Sequence, residues 1–127
     1  MSMNRVPAEF EKLLERAREL LSSDPSAEQA VAVRTSRERI LCFANHDVTS
    51  GSTADEAAFV RTLAESGDTE IRAAVCMWSD SALDVPSQHL RKLLANLNPS
   101  SLEAGFLLNS GEGFVVRPLK ILLSPGR

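Results

Sequence analysis

Ile71-Arg72-Ala73-Ala74-Val75-Cys76-Met77-Trp78 is the most apolar run in the chain. One charge, Arg72, interrupts it. A run of this length and composition predicts a central strand buried on both faces. Such a strand needs a layer of helix on either side, and the segments around it supply both. Upstream, Ala54 to about Glu65 reads as a helix that Gly67 is positioned to close. Downstream, Pro86 opens a second helix with Leu90, Leu93, Leu94 and Leu97 on one face, and Asn98-Pro99 stops it.

Further out, residues 7–22 read as an amphipathic helix. Phe10, Leu13, Leu14, Ala17, Leu20 and Leu21 recur at helical spacing, and Pro7 suits the first helical position. Ser22-Ser23-Asp24-Pro25 ends it. Residues 29–35 and 39–45 read as two strands around the turn Ser36-Arg37-Glu38, which makes a hairpin. His46–Thr53 and Ser79–Val85 are polar loops. Residues 103–108 and 113–117 are strand candidates around Asn109-Ser110-Gly111, and Leu119–Leu123 is a terminal helical turn. The order α-β-β-α-β-α-β-β-α predicts a three-layer α/β/α sandwich, and the hairpin makes its five-stranded sheet mixed. No repeat and no long linker divides residues 1–127, so one domain is expected.

Composition excludes several function classes. The net charge of −3, the scattered basic residues and the absence of tyrosine leave no footprint for nucleic acid or anionic lipid. No apolar stretch reaches the length of a membrane span, and Met1–Glu11 lacks the apolar core of a signal peptide, so a cytoplasmic protein is expected. Cys42 and Cys76 lie in strand-like apolar runs and read as buried reduced thiols; a disulfide between them would not suit that compartment.

Four short segments carry a resemblance: Asn45-His46-Asp47, Thr53-Ala54-Asp55-Glu56, Pro86-Ser87-Gln88-His89-Leu90-Arg91 and Lys120-Ile121-Leu122-Leu123-Ser124-Pro125. In this order and element context they resemble the Asn-x-Glu, Cys-Ala-Glu or His-x-Glu, Pro-Cys-x-x-Cys-Arg and Glu-Leu-Leu-Pro segments of the cytidine deaminase superfamily. The short loop between Asn45 and Glu56 looks closer to blasticidin S deaminase. The resemblance implies a cytidine deaminase-like fold over nearly the whole chain. In that family three Cys or His side chains hold a zinc ion that activates water, and a glutamate moves protons. The aligned ligand positions here are Ala54, Ser87 and Leu90. Alanine and leucine offer no donor atom and serine is a poor zinc ligand at neutral pH, so no metal, no cofactor and no zinc-dependent deamination are expected.

Glu56 matches the proton-handling glutamate. Thr53-x-x-Glu56 also reads as a capping box, in which the glutamate satisfies a free amide at the helix start. Asn45 and Asp47 suit a ribose edge, or plain turn chemistry after a strand. His46 and His89 are the two histidines of the chain. Both are candidate ligand contacts, and with Asp47 and Asp55 they could converge from loops and helix ends as a replacement metal site. The helix starts at Ala54 and Pro86 would still favour a negative group, with Leu90 filling the volume of the lost zinc.

Two readings follow. One is a binding protein on a deaminase scaffold, for a nucleoside-like or other small polar molecule, or a partner of an active enzyme. The other is an enzyme repurposed for metal-independent acid/base chemistry on a specialised metabolite, using Glu56 with help from His46 or His89. The resemblance also implies a homo-oligomer, a homotetramer, with Arg91 and Leu119–Leu123 as candidate contacts.

Overall fold

A computed structural model describes residues 5–123. The elements run α1 Ala8–Ser23, β1 Gln29–Thr35, β2 Ile40–Asn45, α2 Ala54–Ser66, β3 Ile71–Trp78, α3 Gln88–Leu97, β4 Gly105–Ser110, β5 Gly113–Pro118 and α4 Leu119–Leu123. The sheet order is β2-β1-β3-β4-β5. β1 is antiparallel to both β2 and β3, β3 is parallel to β4, and β4 is antiparallel to β5. The sheet is therefore mixed and five-stranded, as the hairpin predicts.

Side chains alternate across the strands, so each face of the sheet takes its own helices. On one face, Ala30, Ala32, Ala73, Val75 and Met77 receive Phe10, Leu13, Leu14 and Ala17 of α1. The alanines leave room for the helix to sit close. On the other face, Val31, Val33, Ala74 and Cys76 receive Phe59 and Leu63 of α2 and Leu90 and Leu94 of α3. Ile71–Trp78 is the central strand that carries both layers, and only Arg72 within it is exposed.

Several boundaries differ from the sequence expectation. Pro7 is the N-cap of α1, not its first helical residue. The third helix starts at Gln88, two residues after Pro86, with Ser87 as N-cap accepting the Leu90 amide. β4 begins at Gly105, because Pro99–Glu103 forms a 3-10 turn whose start is capped by the Asn98 side chain. A second 3-10 turn, Val48–Ser50, lies inside the loop read from His46 to Thr53. Gly67 closes α2 in the left-handed conformation, φ 77°, as expected of a helix-ending glycine.

Cys42 and Cys76 are both free thiols. They sit on β2 and β3 with β1 between them, about 10 Å apart by strand spacing, and their side chains belong to opposite faces. That geometry excludes a disulfide between them. Burial pushes the Cys76 thiol well above its ordinary pKa, which leaves it inert. Among the described residues no helix is long and apolar enough to cross a membrane. The closing Ser124-Pro125 of the terminal segment lies outside the described residues.

Candidate functional site

The end of β2 and the starts of α2 and α3 meet on the α2/α3 face of the sheet. β2 delivers Asn45, α2 delivers Glu56 from its first turn, and α3 delivers Ser87 and His89. Glu56 is 1% exposed, and its carboxylate is the centre of the cluster. The Asn45 Nδ2 amide donates to Glu56 Oε2 at 2.9 Å. Ser87 Oγ lies 2.8 and 2.7 Å from the two carboxylate oxygens. His89 Nδ1 lies 3.0 Å from Oε1. The Leu90 amide donates to Ser87 Oγ at 3.0 Å, which leaves the serine proton to go to the carboxylate. Three side chains are thereby tied to one buried carboxylate.

This arrangement corrects the capping-box reading of Glu56. Thr53 makes no side-chain cap bond, and the Glu56 carboxylate faces inward. A capping box would spend the carboxylate on one exposed amide. Three buried or half-buried donors from two other elements outcompete it. The spacing Thr53-x-x-Glu56 has the letters of the motif without its geometry.

Asn45 is fully buried. Its amide also donates weakly to Gln29 Oε1 at 3.3 Å, while its own Oδ1 has no hydrogen-bond partner among the described residues. Gln29, 2% exposed at the start of β1, was not singled out in the sequence. The only available signal was a polar residue opening an otherwise apolar strand.

His46 belongs to a second cluster. Its Nε2 is 2.8 Å from Asp24 Oδ2 and its Nδ1 is 3.0 Å from Asp55 Oδ2; Asp55 also accepts the His46 backbone amide at 2.7 Å. Hydrogen bonds to Asp24 and Asp55 raise the His46 pKa above the usual imidazole value. A histidine with a carboxylate on each ring nitrogen holds best as imidazolium. The structure thus separates the two histidines. Asp47 joins neither cluster: it is exposed in a left-handed turn conformation, φ 58°, and its carbonyl accepts the Ser50 and Ser52 amides.

Ala54 is exposed at the first position of α2, and Leu90 is fully buried in the hydrophobic core. Among the described residues no group of three His, Cys, Asp or Glu side chains is disposed to hold a metal ion. A groove of about 500 Å³ runs along the outer edge of β2, between Arg16 of α1 and Asp55 and Phe59 of α2. Glu56, Ser87 and His89 do not line it.

The five-stranded mixed sheet in the order β2-β1-β3-β4-β5, with helices on both faces, belongs to a fold that has counterparts among solved structures. The crystal structure of cytidine deaminase from Mycobacterium leprae matches with a TM-score of 0.67, covering 93% of this chain and 99% of that one at 15% identity. The fold is that of the cytidine deaminases. Cytidine deaminase from Mycobacterium tuberculosis matches similarly, with a TM-score of 0.65 over 94% of this chain and 98% of that one at 21% identity. No family model and no curated protein matches the sequence. The cytidine deaminase fold is thus reached by three-dimensional similarity at a level of identity where the sequence has diverged far.

Proposed function

We propose that this chain is a metal-free protein on the cytidine deaminase fold that binds a nucleoside-like or other small polar molecule and does not carry out zinc-dependent deamination. The observation that carries this reading is the saturation of Glu56 by Asn45, Ser87 and His89. A glutamate that serves a metal-bound water must keep an oxygen free for that water. Here both oxygens are occupied by the protein itself.

The zinc that the fold family implies does not fit the residues present. Ala54 and Leu90 have no donor atom. Ser87 accepts the Leu90 amide and faces both oxygens of Glu56, so its hydroxyl is spent. The hydrogen-bonded cluster does mechanically what a metal would do, by tying the starts of α2 and α3 to the end of β2. The short loop between Asn45 and Glu56 supports placing the chain nearer blasticidin S deaminase than ordinary cytidine deaminases.

In this reading His89 is the part of the cluster open to a ligand, with the buried Asn45 and Glu56 behind it. The unpartnered Asn45 Oδ1 supports a bound donor close to Glu56. Asp47 and His46 stay outside the set, the first in its turn and the second in its own ion pairs. A homotetramer in the cytoplasm completes the proposal, with Ile121, 54% exposed on α4, as the contact to test. The Glu56–His89 pair also favours a second reading, metal-independent acid/base chemistry on a specialised metabolite.

Elemental analysis after mild purification tests the metal-free reading. Far less than one zinc per chain is expected, and near-stoichiometric zinc would overturn it. The deamination half is tested by ammonia release from cytidine, deoxycytidine and blasticidin S, with none expected. A thermal-shift panel of nucleosides, nucleotides and sugars tests binding: a ligand at a hundredfold excess over its Kd stabilises by about 2.7 kcal/mol. The binding reading fails if no compound raises Tm, or if Asn45→Ala leaves the shifts unchanged.

A further inference from the structure

His89 differs from His46 in what its ring nitrogens meet. Both nitrogens of His46 face carboxylates. Only Nδ1 of His89 is engaged, with Glu56 Oε1 at 3.0 Å, and Nε2 makes no hydrogen bond to any described residue. The His89 side chain is 37% exposed, while its carboxylate partner is 1% exposed. The outward part of the ring is thus open and its anchor is closed.

The donors around Glu56 decide the tautomer. Asn45 Nδ2 can only donate, and the Ser87 proton is free to donate because its oxygen already accepts the Leu90 amide. A carboxylate surrounded by donors requires a donor from His89 as well, so the proton sits on Nδ1. In a neutral imidazole this leaves a lone pair on Nε2. Near the same carboxylate, Asn45 Oδ1 is a buried acceptor without a partner. The open nitrogen of the cluster is therefore an acceptor.

We propose that His89 is the ligand-contacting residue of this site, held by Glu56 in the Nδ1–H tautomer, and that Nε2 receives an O–H or N–H group. The class of ligand is a small neutral molecule rich in hydrogen-bond donors, such as a polyol or a nucleobase edge with N–H groups. Anionic or donor-free molecules meet no complementary group at Nε2. This rests on the binding reading above, but its central claim concerns the tautomer and holds or fails whether or not the protein carries zinc.

Long-range proton–nitrogen NMR spectra of the uniformly labelled, full-length protein test the tautomer directly. At mildly alkaline pH the His89 ring should show a protonated Nδ1 and an unprotonated Nε2, assigned by their loss in His89→Gln. An Nε2–H form would overturn the proposal. Diethyl pyrocarbonate provides a second readout, because the chain contains two histidines. His89 should be modified first and His46 should lag at least severalfold; equal rates, or His46 first, would overturn it. Glu56→Gln keeps the shape of the side chain and should slow His89 modification while shifting its nitrogen signals toward a tautomer mixture. Unchanged rate and signals in a folded Glu56→Gln protein would show that Glu56 does not set the tautomer. For ligand class, titration with uracil and with 1,3-dimethyluracil, which has no N–H or O–H group, should move Nε2 for uracil alone. Equal movement, or none with either compound, removes the donor specificity.

Discussion

His46 bridges Asp24, at the C-cap of α1, and Asp55, in the first turn of α2. Its pKa is raised, chiefly by the hydrogen bond to Asp24 and then by that to Asp55. Asp24 is lowered in turn, by Ser26 first and His46 second. A group whose folded pKa is raised stabilises the fold fully below its unfolded value, here near 6.5, and loses that contribution as pH rises through the folded value. The ring and its partners are in contact with solvent, so screening keeps the effect modest. The Tm difference between the natural protein and His46→Gln should accordingly be larger at about pH 6 than at about pH 9. The same difference at both pH values, or a larger one in alkali, would contradict the clamp. Asp24 works in the opposite sense: its contribution is present above its unfolded pKa and is lost in acid.

At the scale of elements, the cluster around Glu56 is the joint between β2, α2 and α3. Ser87 has two tasks there, capping α3 through the Leu90 amide and facing Glu56. Ser87→Ala removes both, and the loss of an N-cap alone costs about 0.5–2 kcal/mol. The variant should therefore melt several degrees lower, with denaturant titration giving a loss of that size or slightly more. A loss below about 0.5 kcal/mol would mean that the cap is replaced by water and that Glu56 does not depend on Ser87. Glu56→Ala should be harsher, about 2–4 kcal/mol, because Asn45 and Ser87 lose their acceptor inside a tight interior. Equilibrium unfolding of the two variants side by side distinguishes a satisfied structural cluster from a carboxylate held under strain. If Glu56→Ala were instead the more stable protein, the carboxylate would be strained for function and the closed cluster would not be a structural joint.

For the whole molecule, both faces of the sheet are filled by helices, and the two core clusters share the same central strands. The described residues 5–123 share these strands, so they are expected to unfold in one cooperative transition. The outer edge of β2 carries Ile40, Leu41, Cys42 and Phe43, all half-buried, and α4 exposes Ile121. Arg91, a candidate contact in the sequence, instead donates to the carbonyls of Pro86 and Leu122, which binds α3 to α4 within the chain. Ile121 is then the exposed apolar candidate contact for the proposed homotetramer. Light scattering at micromolar concentration should give four times the chain mass, and Ile121→Glu should lower it. A monomer at that concentration would remove the assembly from the proposal.

Periodicity and composition by themselves determined the layers of this protein. Apolar runs at Gln29–Thr35 and Ile71–Trp78 and the stripes Phe10–Leu21 and Leu90–Leu97 set strands and helices, because burying an apolar face dictates its repeat. The element order gave a layered α/β sandwich, and the resemblance of four short segments then pointed to the fold that the solved structures share. Short-range polar details were less legible. Thr53-x-x-Glu56 has the letters of a cap, and Asn98-Pro99 reads as a stop although it also caps a 3-10 turn. Only the tertiary structure decided which polar residues meet. His46 and His89 look alike along the chain, but one lies between Asp24 and Asp55 and the other rests on Glu56. Glu56 and His89 are 33 residues apart in sequence. Hydrogen bonds over such separations depend on the packing of α2 beside α3, and no local pattern encodes a partner brought in by packing.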